Sequence, residues 1–156
     1  MKLLIIAVGT RMPSWVTDGY RTYAKRMPPG TSLELIEVKA DARSGGKTVA
    51  QMLAAESLRI RAALPKGARV IALDERGKDL STCGLAVQLE AWMQERGALA
   101  FLIGGPDGLD DALKKSAAMQ LRLSGLTLPH GLARVLLAEQ LYRALSIIGG
   151  NPYHRE

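Results

Sequence analysis

The sequence predicts an α/β domain, a parallel sheet with helices on both faces. Two observations predict it. Five short apolar runs recur along the 156 residues, and the stretches between them carry helical spacing. Continuous apolar strands belong to sheets covered on both faces, and strands that alternate with helices become parallel neighbours. The length suits a single domain, residues 1–156, with room for a real core. No repeat, low-complexity segment or linker divides it.

The first predicted strand is residues 3–8 (LLIIAV). This run falls short of the roughly 7–15 apolar residues of a signal peptide, so no leader is expected. The second strand is 33–38 (LELIEV), and Val49, Met52, Leu53, Ile60 and Leu64 then keep a helical stripe. The third is 70–73 (VIAL). Its helix carries Leu85, Leu89, Trp92 and Met93 on one stripe, with Ser81 to cap it and Gly97 to end it. The fourth, 98–103 (ALAFLI), precedes a short helix whose Asp110, Asp111, Lys114 and Lys115 complement the helix dipole. The fifth is 120–123 (QLRL). The last helix, about 132–147, is apolar on most of its circumference, so it is expected to be buried against both the sheet and a second subunit. Arg134, Glu139 and Arg143 interrupt it, so no membrane span is expected.

Lysine and arginine number 21 against 15 acids, a formal charge of +6. That balance favours a polyanionic partner, nucleic acid first, although many small basic proteins have none. Aromatics do not interleave with the cations as they do on single-strand stacking surfaces. Cys83 is the one cysteine, which excludes an internal disulfide and fits a reducing cytoplasm. A buried packing role is expected for it. Cys83, His130 and His154 have no ligand spacing, so no metal is expected.

Ligands of parallel sheets bind at the carboxyl ends of strands, which directs attention to three turns. "KADARSGGKTV" resembles the end of a phosphate-binding loop. Such a loop needs glycine where this chain has Asp41, and a nucleotide-hydrolysing enzyme is correspondingly disfavoured. "FLIGGPDGLDD" contains Gly104, Gly105 and Gly108, which permit close approach to a ligand and fit a plain turn equally well. "LRLSGLTLPHGLAR" is unusually apolar for a loop. It suits a sandwich around a flat ring, or else Leu126 and Leu128 plug the core. His130 beside a helix start reads more readily as structural than catalytic.

Together "LIGGPDGL", "LTLPH", "EQLYRA", "PYHRE", the opening "MKLLIIAVGTRMPSWVTDGYRTYAKRMP", "LIEVKA" and "ALDERGK" resemble the SPOUT-class ribosomal RNA large-subunit methyltransferase H family, over essentially the whole chain. The resemblance implies a C-terminal trefoil knot that forms the cofactor site, a homodimer with its active site at the subunit interface, and S-adenosyl-L-methionine as cofactor. It implies methylation at N3 of a pseudouridine in helix 69 of 23S rRNA, on assembled ribosomes. Carried over by motif, the cofactor contacts are Leu73, Gly104, Leu123, Ser124, Gly125, Leu126, Thr127 and Leu128.

The tail "GGNPYHRE" then becomes the expected catalytic edge. His154 is suited to general-base work, being mostly neutral at pH 7. Arg143 and Arg155 would hold phosphate or stabilise an imide anion. Tyr153 would pack on the base or donate a hydrogen bond, and Tyr142 would do so or pack in the core. Arg11, Lys25, Arg26, Arg43 and Lys47 are candidate ribosome contacts. The competing class is a non-enzymatic basic RNA- or ribosome-binding module, which would have no affinity for S-adenosyl-L-methionine.

Overall fold

The strands alternate side chains between two faces, and this period of two sorts the core. The computed structural model describes residues 1–154, the side chain of His154 excepted. Five strands form one parallel sheet: β1 (Lys2–Val8), β2 (Ser32–Val38), β3 (Arg69–Asp79), β4 (Leu99–Ile103) and β5 (Met119–Arg122). Their spatial order is β2-β1-β4-β3-β5. The helices are α1 (Ser14–Ala24), α2 (Val49–Ala63), α3 (Thr82–Met93), α4 (Asp111–Ser116) and α5 (His130–Ile148). Leu3, Ile5, Ile71, Leu99 and Phe101 share one core cluster with α1, α3 and α5. Leu4, Ile6, Ala72, Ala100 and Leu102 share the other with Ile60 of α2 and Leu113 of α4. The expected parallel sheet with helices on both faces is therefore present.

Local signals place the helices. Thr48 and Gln51 close a reciprocal capping box at the start of α2. Ser81 caps α3 by accepting from the Gly84 amide at 3.0 Å, as its position suggested. Pro129, with no N–H to lose, precedes α5, which starts two residues earlier than its apolar pattern implied.

β3 departs most from expectation. It does not stop at Leu73 but resumes along β5. Leu73 and Lys78 both register with Leu121, so residues 74–77 leave the sheet and return. The return needs glycine: a Cβ on Gly77 would lie 2.7 Å from the backbone carbons of Gln120 and Leu121. The polar stretch DERGK carries no strand signal of its own, so its extension comes from the pairing.

α5 buries Leu137, Ala138, Leu141, Ala144 and Leu145 against the sheet, α1 and α3. Arg134 is buried with them, fully. Its other side leaves Leu136 at 36% exposure and Leu132, Val135, Tyr142 and Arg143 half-buried. Cys83, expected inside, is instead exposed in the first turn of α3. The helix buries Leu85, Leu89 and Trp92, and position 83 falls off that stripe.

Candidate functional site

β5 is an edge strand, yet the helix after it starts beside β1. His130 and Gly131 sit against Gly9, Met12 and Val16, just past the carboxyl end of β1. Residues 123–129 must therefore cross the carboxyl ends of β3 and β4. Under this crossing lies a cavity of about 820 Å³. Leu73 ends the first limb of β3, Ile103 ends β4, and the turns that follow them supply two walls.

Seven of the eight carried-over cofactor residues line the cavity: Leu73, Gly104, Leu123, Ser124, Leu126, Thr127 and Leu128. Gly125 stands between them, and a Cβ there would lie 3.9 Å from the guanidinium of Arg122, itself a lining residue. Leu126 is 78% exposed at the rim, so it does not plug the core. The Ser124 hydroxyl accepts from the Leu126 amide at 2.9 Å and fixes this bend. Gly104 answers to the turn itself, since a Cβ there would come within 2.4 Å of the Gly108 backbone. Gly108 has φ +79°, a left-handed conformation suited to glycine.

Several lining residues had no sequence signal as cavity residues. Asp74 faces Lys114 at 3.4 Å, and Arg122 pairs with Asp79 at 3.2 Å while its buried Nε has no partner. Glu75 and Arg76 reach the cavity only because residues 74–77 leave the sheet. The lining thus combines leucines with charges of both signs.

His130 also lines the cavity. Burial, and then the nearby Arg134 cation, push its pKa below the ordinary value. Its neutral ring is therefore favoured in the folded state. A depressed folded pKa contributes stability above the unfolded value of about 6.5, and that stability is lost as pH falls toward the folded value. Denaturant titrations should show the protein weakening below about pH 6.5 more steeply than His130→Asn. Parallel pH profiles for the two proteins would remove His130 as the cause.

The loop after β2 is an ion cluster, not a phosphate cradle. The Asp41 carboxylate is buried and accepts from Lys47 and Arg59, each at 3.0 Å. Those hydrogen bonds, from Lys47 first, hold its pKa below the usual carboxylate range. Arg43 meets Glu56 at 2.9 Å and Asp107 at 3.0 Å. Arg43 and Lys47 make ion pairs within the chain, and they are exposed like Arg11, Lys25 and Arg26.

The catalytic candidates gather elsewhere. Tyr153 donates to Glu139 at 3.2 Å, and Arg143 pairs with the same oxygen at 2.7 Å. The Arg143 guanidinium lies 4.9 Å from the Tyr153 ring centre, and the Tyr142 ring is 4.6 Å from it. Burial, then Glu139, push the Tyr153 pKa up. Arg143 stands thirteen residues beyond His130 on α5, about 20 Å along the helix at 1.5 Å per residue. The chain therefore brings Arg143 and Tyr153 together but keeps them away from its cavity. The His154 side chain and Arg155 lie outside the described residues.

Fold and cavity define a class: an α/β protein with a cavity where a chain crossing covers the carboxyl ends of a parallel sheet. The chain belongs to the SPOUT methyltransferase family, whose model, described as predicted SPOUT methyltransferase, matches residues 1–154. It is 61% identical over 155 residues to the ribosomal RNA large subunit methyltransferase H of Ralstonia pickettii strain 12J, covering 99% of each chain. The protein of that name from Bordetella petrii is 58% identical over the same span. A probable methylase family protein from Haemophilus influenzae Rd KW20 shares the fold, with a TM-score of 0.56 at 13% identity, over 99% of this chain and 70% of that one. Among the described residues, no helix is long and apolar enough to cross a membrane. Nor does any group of three or more His, Cys, Asp or Glu there stand ready to hold a metal ion.

Proposed function

We propose that this chain is a cytoplasmic homodimeric enzyme that methylates large-subunit rRNA with S-adenosyl-L-methionine. Its target is N3 of a pseudouridine in helix 69 of 23S rRNA, within assembled ribosomes. The observation that carries this is 61% identity across 99% of the chain to a ribosomal RNA large subunit methyltransferase H. The crossing of residues 123–129 supports the trefoil knot that belongs to the same reading.

The cavity suits the cofactor. Its volume of about 820 Å³ lies within the roughly 300–1,000 Å³ of small-molecule sites. Leucines 73, 123, 126 and 128 offer apolar surface to a flat base, and Asp74, Lys114 and Arg122 offer both signs to an amino-acid zwitterion. When bound, S-adenosyl-L-methionine supplies an electrophilic methyl group. The chain's residues must align the acceptor nitrogen, a positioning effect worth up to about 7–11 kcal/mol. His154 takes the N3 proton, since an imide nitrogen is a poor nucleophile while protonated. Arg143 spends Nε and Nη2 on Glu139 and keeps Nη1 for a phosphate or the imide oxygen. Arg155 adds a second cation, and Tyr153 packs beside the target base. Because α5 separates these groups from their own cavity, the tail of one subunit serves the cavity of the other.

The test is methyl transfer from labelled cofactor to free rRNA, separate subunits and whole ribosomes, with the modified nucleotide mapped. Label at one pseudouridine N3, on whole ribosomes only, is the expected result. A protein that binds ribosomes but shows no calorimetric heat with S-adenosyl-L-methionine would instead be a binding module.

A further inference from the structure

We infer that Arg43 is a positioning residue: it clasps the glycine turn of the cavity to the buried carboxylate of Glu56 on α2. Arg43 stands on the loop after β2, with no place in the cavity lining. Its guanidinium makes three connections. Nη1 donates to Glu56 at 2.9 Å and to the Asp41 carbonyl at 2.7 Å, while Nε donates to Asp107 at 3.0 Å. Asp107 is at the exposed tip of the turn Gly104–Gly108, which walls the cavity.

Glu56 is the anchor. Its side chain is 2% exposed. One carboxylate oxygen accepts from Arg43 and from the Asp41 amide at 2.9 Å, and the other is buried without a partner. A buried carboxylate is costly unless a cation meets it. Among the described residues, that cation is Arg43. Glu56 thus fixes where the guanidinium lies, and the planar fork then presents Nε toward the turn. A Cβ on Gly105 would lie 3.2 Å from Val8 and 3.9 Å from Arg43 Nη2, so both side chains border the turn. Among the described residues, Arg43 makes the only ion pair to the tip.

The fork has a consequence that separates positioning from folding. A lysine at 43 can still neutralise Glu56, but a single ammonium on a flexible stem cannot reproduce both branches of the fork. Arg43→Lys should therefore keep the thermal midpoint close to the native one while releasing the turn. Resting on the function proposed above, the expected effect is a roughly tenfold weaker affinity for S-adenosyl-L-methionine by calorimetry. The loss should fall on KM for the cofactor more than on kcat. Asp107→Asn should weaken binding similarly, and Arg43→Lys combined with Asp107→Asn should lose little more than either alone. Amide hydrogen exchange at residues 104–108 should quicken in both single variants.

Unchanged affinity in Arg43→Lys, or losses that simply add in the double variant, would overturn the clasp. If the native protein shows no heat with S-adenosyl-L-methionine, the function proposed above falls instead. Hydrogen exchange then decides the clasp alone, and unchanged protection at residues 104–108 overturns it.

Discussion

Arg134→Ala should lower the free energy of unfolding by about 3–5 kcal/mol. The urea midpoint should fall while the slope holds, because the same surface is exposed on unfolding. Arg134 is fully buried in α5 and joins three elements. Nη1 meets Glu37 on β2 at 2.6 Å. Nη2 donates to the carbonyls of Val8 at 3.2 Å and Gly9 at 2.8 Å, where β1 ends. Truncation deprives both carbonyls of this donor, at about 1–3 kcal/mol for a buried group left unsatisfied. It also opens a void where a long side chain stood, and voids add to the cost. Glu37 contributes less to the loss, because its side chain is 36% exposed and water can re-solvate it. Arg134→Lys should recover only part of the stability, since an ammonium lacks the fork that spans both strands. A loss below about 1 kcal/mol in Arg134→Ala would mean that water replaces these contacts freely. Pro129, His130 and Ala133 wall the cavity from the same end of α5, so the loosened helix should also weaken ligand binding.

Arg134 also shows where sequence reading stops. Within an apolar helix it looked like an interruption that argued against a membrane span. Its partners lie 97, 125 and 126 residues away along the chain, and no periodicity spans such gaps. The Arg43 cluster was hidden for the same reason, its partners Glu56 and Asp107 lying 13 and 64 residues away. The strands were legible because apolar runs and the period of two are local signals. The continuation of β3 was not, since its polar residues pair only once β5 arrives beside them. The cavity was legible in part because parallel sheets place ligand sites at strand ends: of the three turns marked in the sequence, those after β4 and β5 line it and the one after β2 does not. The distance between tail and cavity was invisible too, since it depends on how far the 19 residues of α5 carry the chain back across the sheet from its carboxyl edge.

That distance leads to the second large effect, the recovery of activity by mixing two inactive variants. Gly104→Val should abolish cofactor binding: its Cβ would sit 2.4 Å from the Gly108 backbone, so the turn must move. A displacement of about 1 Å in a positioning group can cost around a hundredfold. His154→Ala should bind cofactor normally and lose about 10²–10⁴-fold in methylation rate, the usual share of a general base. If each site joins one subunit's cavity to the other's tail, a mixed dimer contains one site with a sound cavity and a sound tail. Its other site carries both defects. Random reassociation of equal amounts makes about half the dimers mixed, so activity should return to about a quarter of the native level. Sites built within single subunits predict no such recovery, because every subunit carries a defect. The mixture therefore measures whether the helix that carries Tyr153 away from its own cavity delivers the tail to the neighbouring one.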